Sequence, residues 1–139
     1  MTGQVLTEHA EQAELLRWTR EVETLREYPE VELLFAVPNG AKLPYTGRGR
    51  GRYSKEAMNL KREGLKPGVP DLCLPVPAGI YHGLFIELKS LRRGAKATEE
   101  QLWWIEKLRE QGFKVEICRG FEAARDVITG YLNLNDEEL

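Results

Sequence analysis

Gly64-Leu65-Lys66-Pro67-Gly68-Val69-Pro70-Asp71-Leu72-Cys73-Leu74, followed after eight residues by Gly83-Leu84-Phe85-Ile86-Glu87-Leu88-Lys89, decides how this chain folds. Two short apolar runs, Leu72 to Leu74 and Leu84 to Leu88, flank the turn-forming segment Pro75 to Gly79 and read as the strands of a hairpin. Charges sit at defined places in both. Asp71 opens the first run directly after a Gly-Val-Pro turn, Glu87 interrupts the second, and Lys89 follows two places on. Side chains alternate across a strand, so Glu87 and Lys89 project from one face, and hairpin pairing brings Asp71 beside them.

Downstream, Thr98 caps a helix through Gln111, with Leu102, Ile105 and Leu108 inward and Gly112 as its stop. Phe113 to Cys118 is a further strand. Phe121 to Leu132 is a helix carrying Ala124, Val127, Ile128 and Tyr131. Upstream, Thr7 caps a helix running to about Glu27, whose apolar stripe is Leu15, Trp18, Val22 and Leu25. Val31 to Val37 reads as a strand ended by Pro38-Asn39-Gly40, and Ser54 starts a short helix that stops at Gly64. The order αβ(α)ββαβα predicts one α/β domain over residues 1–139, a central mixed β-sheet flanked by helices, with an acidic tail fraying from about residue 133.

At 139 residues, 42% hydrophobic and 30% charged, the chain can bury a core without staples and is ordinary for a globular protein. No apolar run reaches the roughly 18 residues of a membrane span and no signal pattern opens the chain, so a cytoplasmic location is expected. Cys73 and Cys118 fall in apolar strands and read as reduced core residues. Without a CxxC or Cys/His cluster, zinc is not indicated. His9 and His82 are too few and too separated for a histidine site and read as non-catalytic. The net charge of −2 is unevenly spread. Between Asn39 and Lys66, eight basic side chains face two acidic ones, a segment of +6 that leaves −8 elsewhere. A second basic run, Lys89, Arg92, Arg93 and Lys96, precedes the Trp-rich helix. Two such runs suggest a bound polyanion, although either alone reads better as solvated surface.

Two carboxylates held together repel, and a divalent cation relieves that repulsion; oxygen ligands with water suit Mg²⁺ or Mn²⁺. Taken alone, Glu87-Leu88-Lys89 reads more readily as a surface ion pair worth at most about 1 kcal/mol.

Gly68-Val69-Pro70-Asp71, then fifteen residues, then Glu87-Leu88-Lys89, resembles the PD-(D/E)XK nuclease signature. Adding Pro38-Asn39-Gly40, the whole Gly64 to Asp71 run, Gly83 to Lys89, and Gln101 at the start of a Trp-bearing helix, the chain resembles the stand-alone virus-type replication-repair nuclease (VRR-NUC) family from about Glu8 to Tyr131. The resemblance implies a restriction-endonuclease-like core and a Mg²⁺ site, with Mn²⁺ as substitute, formed by Asp71, Glu87 and the main-chain carbonyl of Leu88. It implies that Lys89 contacts the attacking water and the scissile phosphate. A glutamate of the first helix completes the family's site. Glu8 matches, four residues before Gln12 as in the family's Glu-x-x-x-Gln start, with Glu11 and Glu14 as rivals. Gln101 looks like the family's glutamine near the phosphate, and Thr98-x-x-Gln101 equally fits a capping box.

The resemblance further implies a homodimer that cuts branched DNA such as four-way (Holliday) junctions, with a phage or prophage origin and no organic cofactor. Lys42, Arg48, Arg50, Arg52, Lys66, Arg92 and Arg93 are the expected DNA-contacting cations, and Tyr45 and Tyr53 could stack on bases or simply pack. Trp103 and Trp104, being adjacent, face different ways, so one is a candidate interface anchor or is covered by a loop. A non-catalytic DNA-binding module on the same fold, or a phage accessory factor whose Arg loop docks an acidic partner, are the alternatives.

Overall fold

The computed structural model describes residues 5–38, 55–92, 94 and 96–137. The Thr7 side chain accepts a hydrogen bond from Ala10 N and starts helix α1, Glu8–Trp18. The single long helix expected to reach Glu27 is broken. Thr19 Oγ1 donates to Leu16 O at 2.6 Å, and the N–H groups of Arg20 and Glu21 donate three residues back instead of four. A hydroxyl that satisfies a carbonyl of the preceding turn competes with the helical ladder. Helix α2, Val22–Glu27, therefore leaves in a new direction, and Val22, expected inward, is 66% exposed. The predicted strand from Val31 to Val37 also shrinks. Pro29 opens a 3-10 turn over Pro29–Leu33 that buries Val31, leaving strand β1 only Phe35–Ala36. Helix α3 follows at Lys55–Arg62, and Gly64 beyond it has φ of 111°.

Strands β2 (Leu72–Leu74), β3 (Leu84–Lys89) and β4 (Lys114–Arg119) complete a four-stranded sheet of order β1-β2-β3-β4. The expected hairpin forms: β2 pairs antiparallel with β3 through Leu72↔Ile86, Cys73↔Phe85 and Leu74↔Leu84. β1 pairs antiparallel with β2, and β4 lies parallel to β3. Helices α4 (Glu99–Glu110) and α5 (Phe121–Leu132) cover opposite faces, α5 sharing its face with α1.

The alternation of β3 sorts the two faces. Leu84, Ile86 and Leu88 join Leu15, Leu72, Leu74, Ala124 and Ile128 in the main core. Each such fully buried aliphatic side chain contributes about 1.5–3 kcal/mol. Phe85, Glu87 and Lys89 take the α4 face, where Phe85 meets Phe113 edge-on at 5.4 Å. On α4, Ile105 is buried as expected, whereas Leu102 is exposed because Gln101 and Trp104 occupy the inward positions around it. Where a frayed tail is expected, the chain makes the short helix α6, Leu134–Glu137. Asn135 Oδ1 accepts from Gly79 N at 2.9 Å, tying this end to the β2–β3 connection. Among the described residues no helix is long and apolar enough to cross a membrane.

The run before β2 is docked on α4. Trp104 Nε1 donates to Pro67 O at 3.1 Å, and Gly68, with φ of 89°, lies against the Glu100 backbone, which an added Cβ would approach to 2.7 Å. Gly68→Ala is expected to lose about 1–2 kcal/mol to its left-handed backbone and more to the overlap. Gly64→Ala, equally left-handed but facing open space, loses only the first part. Urea unfolding of the two variants measures the difference.

Cys73 and Cys118 are buried and reduced, as expected. Burial, and to a lesser extent Glu116, pushes the Cys118 thiol up to about 12, and burial raises Cys73. Ellman's reagent at pH 8 is expected to leave both thiols unmodified in the folded protein and to titrate both in urea. The folded thiols stay protonated where unfolded ones, near pKa 8.5, ionise. The Cys118 contribution to stability is therefore complete below about pH 8.5 and is lost as pH rises toward 12, and that of Cys73 is lost in the same direction.

Candidate active site

Asp71 and Glu87 meet at one end of the sheet. Continuing the β2–β3 register one step past Leu72↔Ile86 sets Asp71 opposite Glu87, and both are buried, at 2% and 1% exposure. The Asp71 carbonyl accepts from Val37 N at 2.7 Å, fixing its backbone to the end of β1. Its carboxylate turns along the sheet, and Oδ2 accepts from Leu88 N at 2.9 Å.

Pro70 acts on the neighbouring carbonyl. The same register sets the buried Pro70 opposite Leu88, and a proline has no N–H to offer the Leu88 carbonyl. Within a strand a residue's N–H and C=O point to the same side. The Leu88 carbonyl is thus directed toward the Asp71 edge, away from β4, which instead receives the carbonyl of Lys89 through Gly120 N at 2.9 Å. The Gly-Val-Pro-Asp run therefore seats a carboxylate and opens a backbone oxygen at the same place.

The second half of the site lies on the α4 face. Gln101 Nε2 donates to Glu87 Oε1 at 3.0 Å, and Gln101 Oε1 accepts from Lys89 Nζ at 3.0 Å. Lys89, 7% exposed, stands 3.7 Å from the same Glu87 oxygen. Gln101 Oε1 also accepts from Thr98 N at 2.8 Å, while Thr98 Oγ1 accepts from Gln101 N at 3.2 Å. The capping box read from sequence forms, and the same Gln101 side chain also joins Glu87 and Lys89. The helix cap fixes Gln101, and Gln101 fixes the carboxylate and the ammonium.

The three first-helix glutamates separate. Glu11 is buried, and its Oε2 accepts from Phe121 N at 2.6 Å, capping α5 across the core. Glu14 pairs with Arg17 on the outer surface. Glu8 lines an open cleft of about 540 Å³ together with Lys89, His9, Ser90, Arg92 and Lys96. Among the described residues, however, no third Asp, Glu, His or Cys forms a metal-binding cluster with Asp71 and Glu87.

Of the other sequence-derived candidates, Arg92 lines the cleft and its guanidinium donates to Val5 O at 3.5 Å, whereas Lys66 is exposed on the run leading to Gly68. Lys42, Tyr45, Arg48, Arg50, Arg52, Tyr53 and Arg93 lie outside the described residues. Trp104 is half-buried and Trp103 is 52% exposed, their rings perpendicular at 5.3 Å. His82 packs edge-on against Phe113, a structural place. His9 and Ser90, not singled out from the sequence as site residues, share the cleft with Lys89. Only the fold shows that the start of α1 lies beside the end of β3.

The donor set fits a hard divalent cation. Two buried carboxylates and a backbone carbonyl offer only oxygen, and water completes such a shell for Mg²⁺ or Mn²⁺.

Residues 41–122 match the model of the VRR-NUC domain. A solved structure described as a "VRR_NUC domain protein" superposes with a TM-score of 0.71 at 28% sequence identity, covering 94% of this chain and 92% of that one. No curated protein matches the chain. A chain whose Asp71, Glu87, Lys89 and Gln101 converge on one sheet end, and whose sequence matches that model over more than half its length, belongs to the VRR-NUC family and has a nuclease-type fold.

Proposed function

We propose that this protein is a metal-dependent DNA endonuclease that hydrolyses phosphodiester bonds in branched DNA, four-way junctions foremost, working as a homodimer. The observation that carries the reading is the buried Glu87–Gln101–Lys89 array beside Asp71. Burying a carboxylate and an ammonium costs several kcal/mol per ion before pairing. A solvated ion pair elsewhere on the surface would serve stability without that cost. Placing both at the open end of a sheet, beside a basic cleft, suits chemistry on a phosphate.

Asp71, Glu87 and the Leu88 carbonyl would hold Mg²⁺, with Mn²⁺ as substitute and Glu8 as a further oxygen donor from the cleft wall. Bound there, the cation supplies Lewis acidity that activates water and offsets charge on the phosphate. Lys89 donates to Gln101, pairs with Glu87 and lines the cleft, where its ammonium would meet substrate. Its charge stands where the pentavalent phosphorus centre becomes most negative, and its position is set before substrate arrives. Arg92 and the basic residues between Lys42 and Lys66 would hold flanking phosphates without reading sequence. Exposed Trp103 offers an anchor for the second copy, and a two-fold dimer would present two sites to opposing strands of a symmetric junction.

The decisive assay is cleavage of labelled four-way junction, flap and linear duplex DNA in Mg²⁺ by wild type, Asp71→Ala and Lys89→Ala. The expected outcome is junction cleavage by wild type, with both variants binding the junction and cutting it at least about 10²-fold more slowly. Absence of cleavage in both Mg²⁺ and Mn²⁺, or variants as active as wild type, overturns the reading and leaves a binding module.

The glutamates give a second comparison. Glu8→Ala is expected to lower cleavage at least about tenfold at unchanged urea midpoint. Glu11→Ala, which uncaps α5, is expected to lose about 1–2 kcal/mol of stability and to retain cleavage while folded.

A further inference from the structure

Beside the cleft that holds Lys89 lies a second hollow of about 450 Å³, lined by Val5, Leu6, Leu91, Phe121 and Arg119. That volume lies within the roughly 300–1,000 Å³ of ordinary ligand clefts. Val5, Leu6 and Leu91 are exposed, Leu91 at 62%, and so form an apolar patch beside a cationic surface. The cleft and the hollow are neighbours. Thr7 and Glu8 line one, Val5 and Leu6 the other; likewise Ser90 and Arg92 line one and Leu91 the other. The partition between them is stitched by the Arg92 guanidinium on Val5 O.

Both open at the carboxyl ends of the parallel strands, where Lys89 and Arg119 stand side by side in register. Open α/β sheets bind ligands outside the carboxyl ends of their parallel strands. The nearby carboxylate of Glu11 is turned onto Phe121 N, and Glu122 is exposed at the rim.

We propose, building on the nuclease reading above, that cleft and hollow together hold the nucleotide next to the scissile phosphate when that nucleotide is unpaired. Its phosphate lies among His9, Arg92 and Lys96, and its base enters the hollow against Leu6, Leu91 and Phe121. An apolar wall accepts the face of any base, so the subsite reads pairing state and not sequence. A stacked, paired base would have to be extruded first, at a cost that an already unpaired one does not bear. This subsite gives the protein a local means of selecting forks and flaps, whose arms carry unpaired nucleotides, over continuous duplex DNA.

The test is binding, measured in EDTA, of forked duplexes whose first unpaired nucleotide on each arm is thymidine or an abasic analogue. Wild type is expected to bind the thymidine fork on the order of tenfold more tightly. Leu91→Ser, and independently Val5→Ser, abolish that difference without weakening the abasic fork. Lys96→Ala weakens both forks alike and lowers the log–log salt slope by about 0.7–0.9. Equal affinity of wild type for the two forks, or equal weakening of both by Leu91→Ser, overturns the subsite. Cleavage in Mg²⁺ separates the two readings. Base-dependent binding without cleavage sinks the nuclease reading and keeps the subsite, whereas cleavage of junctions without base dependence does the reverse.

Discussion

The hydrogen bonds of Gln101 to Glu87 and Lys89 are the constraint on which the rest of the site depends. Two opposite charges lie almost fully buried on the central strand, on a face that elsewhere holds Phe85. Alone, each would be expensive to desolvate; joined through one amide, each finds a partner and a fixed position. The amide is itself immobilised by the Thr98 cap, so the N-terminus of α4 sets the geometry of β3's charged face. The docking of Trp104 and Gly68 then fixes the run that carries Asp71 to the same helix. Three segments distant in sequence are held in one place by α4.

The two faces of β3 divide the labour. Leu84, Ile86 and Leu88 bury against α1 and α5 and supply the stabilising area, while Glu87 and Lys89 are supported by that rigid layer without belonging to it. A costly charged face is tolerable because the opposite face is well packed. Pro70 shows the same economy at backbone level. By lacking an N–H it ends the antiparallel ladder and offers the Leu88 carbonyl no donor, while the Asp71 carboxylate takes Leu88 N.

The family match gives this arrangement its context, a nuclease-type fold with 28% sequence identity to a solved relative of nearly the same extent. Beyond Asp71, Glu87 and Lys89, the surface gives this chain its own character. Here that surface includes a cationic cleft, a neighbouring apolar hollow and an exposed tryptophan.

Much was legible in the sequence because it depends on local periodicity. Alternation placed Glu87 and Lys89 on one face, the Gly/Pro spacing marked the hairpin, Thr98 announced α4, and the Phe121–Leu132 helix appears with the bounds read from its pattern. What failed were the places where a side chain or a remote contact overrides local preference. The Thr19 hydroxyl broke the first helix, Pro29 turned strand formers into a 3-10 segment, and Gln101 and Trp104 displaced Leu102 from the inward face. The resemblance put Glu8 ahead of Glu11 and Glu14, but the sequence could not show where each of them lies. Their separation rests on which way α1 faces once packed on α5, and only the fold puts Phe121 N against Glu11, Arg17 beside Glu14 and the Lys89 cleft beside Glu8. Residue chemistry and spacing determined what the site is made of. Packing between elements a hundred residues apart decided what it is next to, because neighbours across a core leave no periodic trace in either segment.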